Sequence, residues 1–414
     1  MAKLSFSLVL NHYILDLFGC QKMEQLANVL SSPSLKGWDE NNVSYFHHEI
    51  KSFLSSVLFS QATITEQMLL KYDNNIWEYT NQISQKRDLK IRWEYFQYLS
   101  LLFTEIYLDK YFTDKTKLLA DLNEYLTTKF NIDSNTFHGI NEFTEDDLHK
   151  LAFWSATGSG KTLLMHANIL QYKKYSEQAG NKPNRILLVT PNEGLSKQHL
   201  DELSLSNIEA QAFSKNTGSM FSGTFVEVIE ITKLAEENGD KTVAVESFES
   251  NNLVLVDEGH RGASGDKWKP MRDKLSKEGF SFEYSATFGQ SIAAESNQTK
   301  KKKLLDEYGK AVIFDYSYKY FYNDGYGKDY QILNLNDTWN EDVMNTYLTA
   351  CLLNYFEQLK YFTAQGGAMV PFNIERPLMI FVGNSVTASR EESGFSDVVT
   401  ILKFYQRFIK NDAG

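Results

Sequence analysis

Apolar residues recur at three- and four-residue spacing through the first part of the chain. Phe96, Leu99, Phe103, Ile106 and Tyr107 make one stripe, and Leu118, Leu119, Leu122 and Leu126 another. That period is helical. Glycine is scarce here and strand-like alternation is weak, so residues 1 to about 145 are predicted to form a helical N-terminal domain. Ser31 to Asn42 reads as a loop, and Asn131 to Asp147 as a polar connector rich in Asn, Asp and Thr. His47-His48 is expected at the surface, since no second ligand pair stands at useful spacing.

The pattern changes near Leu151. Short apolar runs, each bounded by turn residues, now alternate with amphipathic stretches. The runs are Leu151 to Trp154, Ile186 to Val189, Leu253 to Val256 and Phe280 to Tyr284. Uninterrupted apolar runs of this length suit parallel strands covered on both faces, with the helical stretches as crossovers. The prediction is an α/β fold. A further run, Pro377 to Val382, is expected to open another such unit. The domain boundaries that follow are 1–145, 146–310 and 311–414.

Composition narrows the classes. The chain has 414 residues, 42% of them hydrophobic and 14% aromatic, with only 6 prolines. That is enough to bury two or three cores and excludes disorder for most of the length. The two cysteines, Cys20 and Cys351, form no metal-type or CxxC pair. They suggest a reducing compartment, and a cytoplasmic location is expected. No apolar stretch reaches the roughly 18 residues of a membrane span, so no membrane association is expected. The net charge of −11 gives no whole-molecule attraction to nucleic acid, though a local groove stays open. The one basic run, Lys300 to Lys303, reads as a solvated loop or helix start.

Candidate chemistry begins after the first strand of the α/β part. Ser155-Ala156-Thr157-Gly158-Ser159-Gly160-Lys161-Thr162 leads directly into a helix-like stretch. Glycines let backbone N–H groups wrap phosphates without Cβ clashes, and the helix N-terminus adds positive potential. Thr157, Gly158, Ser159, Gly160, Lys161 and Thr162 are therefore candidates to bind ATP. Lys161 would reach the β and γ phosphates, and the Thr162 hydroxyl would ligate Mg2+. A second feature is Leu253 to Val256 running into Asp257-Glu258-Gly259-His260. A buried strand ending in two carboxylates presents them at the carboxyl edge of the sheet, where ligands of open α/β sheets bind. Asp257 is the candidate Mg2+ ligand, and Glu258 the group that orients and deprotonates the attacking water.

The set SATGSGKT, DEGH and Ser285-Ala286-Thr287 resembles the superfamily two helicases and translocases. DEGH departs from DEAH by Gly259, and Ser155 stands where the first loop glycine is usual. More narrowly, the chain resembles the DEAD/DEAH-box family associated with the Res subunit of type III restriction enzymes and related phage-defence helicases. Phe153 to Gly158 running into Leu163-Leu164-Met165-His166 carries that resemblance, with the aromatic helix Trp93 to Leu99 upstream. It implies a P-loop RecA-like sheet lobe preceded by the helical domain, with the start of a second RecA-like lobe at Pro377. It also implies an ATP-dependent motor on DNA, in duplex or single-strand form, and a methyltransferase or other defence subunit as partner. Residue by residue, it implies that His260, Ser285 and Thr287 couple hydrolysis to nucleic-acid binding. Thr190-Pro191 would approach nucleic-acid phosphates, and the Gln97 amide would read the adenine edge. The family's later arginine motifs do not appear before Gly414. The expectation is an incomplete second lobe and weak hydrolysis by this chain alone. A nucleotide-binding interaction module without autonomous motor activity is the other reading.

Overall fold

A computed structural model describes residues 4–56, 62–131, 139–214, 224–235, 242–259, 268–328, 341–369, 374–382 and 397–410. The chain divides into two compact units, Met1–Lys328 and Asp329–Gly414.

The first unit opens on six helices: α1 (Val9–Leu17), α2 (Met23–Leu30), α3 (Tyr45–Leu54), α4 (Glu66–Ser84), α5 (Tyr95–Thr113) and α6 (Lys115–Tyr125). Side-chain caps start several of them. Ser44 accepts from the His47 N–H, Thr65 from Met68 and Asp114 from Lys117, which satisfies first-turn donors. In α3 the helical period puts Phe46, His47 and Ile50 on the buried face. His47, expected at the surface, is thus buried, and neither ring nitrogen has a hydrogen-bond partner among the described residues. Burial lowers its pKa from the ordinary histidine value. His48 stays exposed, on Asp39 at 2.9 Å.

The sheet follows. Its strands are β1 (Lys150–Ser155), β2 (Ile186–Thr190), β3 (Ala210–Ala212), β4 (Val226–Glu230), β7 (Leu253–Asp257), β8 (Phe280–Ser285) and β9 (Val312–Tyr316). Between β4 and β7 lies a separate pair, β5 (Leu234–Ala235) and β6 (Val243–Ala244). The seven strands pair in the order β3-β4-β2-β7-β8-β1-β9, every pairing parallel. Intervening helices are α7 (Lys161–Gln178), α8 (Glu193–Leu205), α9 (Trp268–Leu275), α10 (Phe288–Ala294), α11 (Gln298–Ala311) and α12 (Tyr318–Asn323). Lys300 to Lys303 lie in the first turns of α11, on the solvent side. The four apolar runs predicted as strands are β1, β2, β7 and β8, buried along almost their whole length.

The helical segment is not a core of its own. One hydrophobic cluster runs from Val9 through α5 and α7 to Tyr316, and the Asn11 amide donates to the Ile313 carbonyl of β9 at 2.8 Å. The boundary expected at 310 also falls just before β9, a strand of this same sheet. Helix α7 packs against α4 and α5, and α5 also packs on β9, so even the polar residues His166, Asn168 and Gln171 of α7 are buried. Hydrogen bonds satisfy much of that polarity, as burial demands. Tyr284 Oη of β8 donates to Asn168 Oδ1 at 2.7 Å, and Asn168 to Gln171 at 2.7 Å. Gln171 Nε2 donates to Glu105 Oε1 of α5 at 2.8 Å. Tyr175 and Asn75 donate to the other Glu105 oxygen. Burial still pushes the Glu105 carboxyl up to about 7.

Where β8 begins, the chain crosses the start of β7 closely. A Cβ on Gly279 would strike the backbone oxygen and nitrogen of Asn252. Gly279→Ala is expected to cost about 1–3 kcal/mol of stability, because the obstacle is backbone. Urea unfolding would measure it.

Among the described residues of the second unit, α13 (Glu341–Met369) and α14 (Asp397–Lys410) are the regular elements. Pro377 to Val382, expected as a strand opening a second RecA-like lobe, runs without regular structure. Leu378, Ile380 and Val382 are exposed. An apolar run becomes a strand only when an edge pairs with it, and no strand is present among this unit's described residues.

Candidate nucleotide site

Three loops leave adjacent strands at one edge. β7, β8 and β1 are neighbours and parallel. Asp257-Glu258-Gly259, Ser285-Ala286-Thr287 and the loop after Ser155 therefore emerge side by side at the carboxyl end of the sheet.

In the loop after β1, Gly158 and Gly160 sit at φ +84° and +87°, the left-handed region that favours glycine. Thr157 and Gly158 are exposed, while Ser159 is buried with its hydroxyl unpartnered among the described residues. Lys161 and Thr162 open α7, half-buried. Among the described residues, the Lys161 ammonium makes one long hydrogen bond, to the Ser155 carbonyl at 3.4 Å. Gln97 holds this loop from α5. Its Nε2 donates to the Ser159 carbonyl at 2.8 Å, and its Oε1 accepts the Glu94 N–H at 2.9 Å as part of the α5 capping box. The paired adenine contact expected from the resemblance would require Gln97 to loosen its hold on the loop or the cap. A Cβ on Gly160 would strike Gln97 Nε2. Gly160→Ala is thus expected to weaken nucleotide binding about tenfold or more, through left-handed strain and displacement of that brace. Titration of a fluorescent ATP analogue would read it.

At the end of β7, both oxygens of Asp257 are engaged. Oδ2 lies 3.1 Å from His199 Nε2 of α8, and Oδ1 accepts the Glu258 N–H at 3.0 Å. Burial alone would raise the Asp257 pKa. The His199 hydrogen bond and charge, the Lys161 charge and the Glu258 N–H outweigh it and hold the carboxyl below its usual value. Glu258 sits at φ +56°. That conformation costs a non-glycine residue on the order of 1–3 kcal/mol and collects at functional turns. The turn is pinned on both sides: Gly259 N–H donates to the Tyr284 carbonyl at 2.8 Å, and buried Arg272 donates to the Gly259 carbonyl at 2.9 Å. His260 lies outside the described residues.

After β8, Ser285 is fully buried and accepts the Thr287 N–H at 3.0 Å. The Thr287 hydroxyl is buried and unpartnered among the described residues. Thr190, at the end of β2, is buried with its hydroxyl 2.6 Å from Ser196 Oγ. Pro191, next to it, is half-buried. Sequence reasoning gave no role to His199 or Arg272. The adjacency of His199 to a strand-ending Asp is a contact between distant segments that no local pattern encodes.

The residues fit a magnesium nucleotide. The loop has the glycine conformations a phosphate cradle needs, a buried hydroxyl lacking a partner, and a lysine with little else to bind. The Asp257 carboxylate, held in place two strands over at the end of β7, has the chemistry of a Mg2+ ligand. Residues 116–290 match the family model of the type III restriction enzyme res subunit. The family model covers less than half of the chain. It takes in β1, the phosphate loop, β7 and Ser285 to Thr287; Gln97 lies before it. No curated protein matches the chain. Among solved structures, the chain is similar to the Sulfolobus solfataricus SWI2/SNF2 ATPase core in complex with dsDNA, at 14% identity and a TM-score of 0.28. That match covers 39% of this chain and 31% of the other.

No helix among the described residues is long and apolar enough to cross a membrane.

Proposed function

We propose that this chain is the ATP-hydrolysing motor of a helicase or translocase acting on DNA, part of a restriction or phage-defence system. The observation that supports it best is the side-by-side emergence of the loop after Ser155, Asp257-Glu258-Gly259 and Ser285-Ala286-Thr287 from neighbouring parallel strands. Bound Mg-ATP supplies the phosphoanhydride bond and the metal's positive charge. Backbone N–H groups from Gly158 to Thr162 cradle the phosphates, and Lys161 neutralises the terminal ones. The Thr162 hydroxyl and Asp257 hold Mg2+. Glu258 orients a water and accepts its proton. Ser285 and Thr287, between the two loops, register hydrolysis for the nucleic-acid side together with His260. Thr190 and Pro191 contact the strand's phosphates through backbone. A methyltransferase or another defence subunit is the expected partner. The test is steady-state ATPase activity of the purified chain with and without DNA. Magnesium-dependent nucleotide binding with slow hydrolysis is expected of this chain; absence of magnesium-dependent nucleotide binding would overturn the reading.

A further inference from the structure

His199 belongs to α8, whose capped start, with Asn192 accepting the Leu195 N–H at 3.0 Å, fixes its direction from the end of β2. β2 pairs with β7, so α8 brings a side chain from the next crossover to the carboxylate at the end of β7. The imidazole is 3% exposed. Its Nε2 lies 3.1 Å from Asp257 Oδ2, and its Nδ1 is buried with no partner among the described residues. On the other oxygen sits the N–H of Glu258. A carboxylate at a strand end would otherwise turn about its last torsion, which is broad. Here one donor from the chain's own turn and one from α8 hold it, and each oxygen keeps a lone pair for a further ligand.

We propose that His199 is a positioning residue that orients the Asp257 carboxylate for the magnesium ion of the nucleotide. The proposal rests on the nucleotide reading above. His199 touches neither metal nor nucleotide; it acts through Asp257. Partners of this kind behind a metal ligand change metal affinity by about 10- to 100-fold when removed. The geometry also separates His199 from Lys161. The lysine serves the phosphates with or without metal, whereas His199 serves only the metal's ligand.

The experiment compares His199→Met with His199→Gln. Methionine fills similar space without a donor; glutamine keeps an N–H near the position of Nε2. A fluorescent, non-hydrolysable ATP analogue is titrated in EDTA and then at increasing MgCl2. For His199→Met, the magnesium concentration at half-effect is expected to rise about tenfold, while affinity in EDTA stays within about twofold. His199→Gln is expected to recover most of the loss. Three outcomes overturn the proposal. One is unchanged magnesium dependence in His199→Met. The second is parallel loss of affinity with and without magnesium, which marks a merely structural histidine. The third is glutamine behaving like methionine. If wild type binds no nucleotide under either condition, the nucleotide reading itself fails and the proposal falls with it, a result distinct from the other three. Should the methionine variant not fold, His199→Ala is measured against glutamine by the same contrast.

Discussion

Lys161→Ala should bind Mg-ATP roughly tenfold to a hundredfold more weakly than wild type, since hydrogen bonds to charged groups contribute about 1.5–3 kcal/mol each. The lysine opens α7 directly after a loop with left-handed glycines at 158 and 160. Its charge has little competing work, because its hydrogen bond to the Ser155 carbonyl is long at 3.4 Å. The same isolation predicts that the fold survives. No core contact is removed, and surface-type substitutions of this kind usually stay within about 0.5 kcal/mol. Asp257 loses a nearby positive charge that helps hold its carboxyl ionised, but the His199 and Glu258 donors remain. Calorimetric titration with a non-hydrolysable ATP analogue, alongside urea unfolding, checks both halves. Equal affinity in the two proteins would sink the phosphate-loop assignment.

The chemistry of this protein was more legible than its packing. Glycine, lysine and threonine at fixed spacing after an apolar run specify a local object, a turn at a helix start, and residues 155 to 162 form that turn, held from a distance by Gln97 and by the Tyr316 carbonyl that accepts the Ala156 N–H. Strands β1, β2, β7 and β8 were readable because each is a continuous apolar run stopped by turn residues. β4 escaped because glutamates 227 and 230 break its apolar run. The buried Glu227 is matched by Arg185 at 3.0 Å, a contact between segments. β9 escaped because Val312 follows α11 with no turn between them. Pro377 to Val382 failed in the other direction: its apolar run has no strand beside it among the described residues. The helical segment's place in the sheet's own core was hidden because α5 is apolar nearly all round. Such a helix announces burial but not the element that buries it. His199 and Arg272 were invisible for the same reason, since each matters through a residue far away in sequence.

Glu258→Gln should keep Mg-ATP binding and lose hydrolysis. The substitution preserves length and shape, so the turn after β7 stays as it is. The N–H that Glu258 donates to Asp257 Oδ1 belongs to the backbone and is untouched. The left-handed conformation at this position is equally available to glutamine. What disappears is the ability to accept a proton from the attacking water. A positioned base contributes about 10²- to 10⁴-fold in rate, which corresponds to roughly 3–5 kcal/mol of barrier. Affinity should hold within about twofold or tighten slightly, because a negative charge near the phosphates has been removed. The contrast with Lys161→Ala is the informative part. One variant binds weakly and the other binds without turning over, although the two residues stand at the same sheet edge, Lys161 after β1 and Glu258 after β7. Single-turnover hydrolysis with saturating Mg-ATP separates chemistry from binding. A Glu258→Gln protein that hydrolyses ATP at the wild-type rate would assign the base elsewhere, and equal losses of affinity and rate would mean that Glu258 shapes the turn rather than the water.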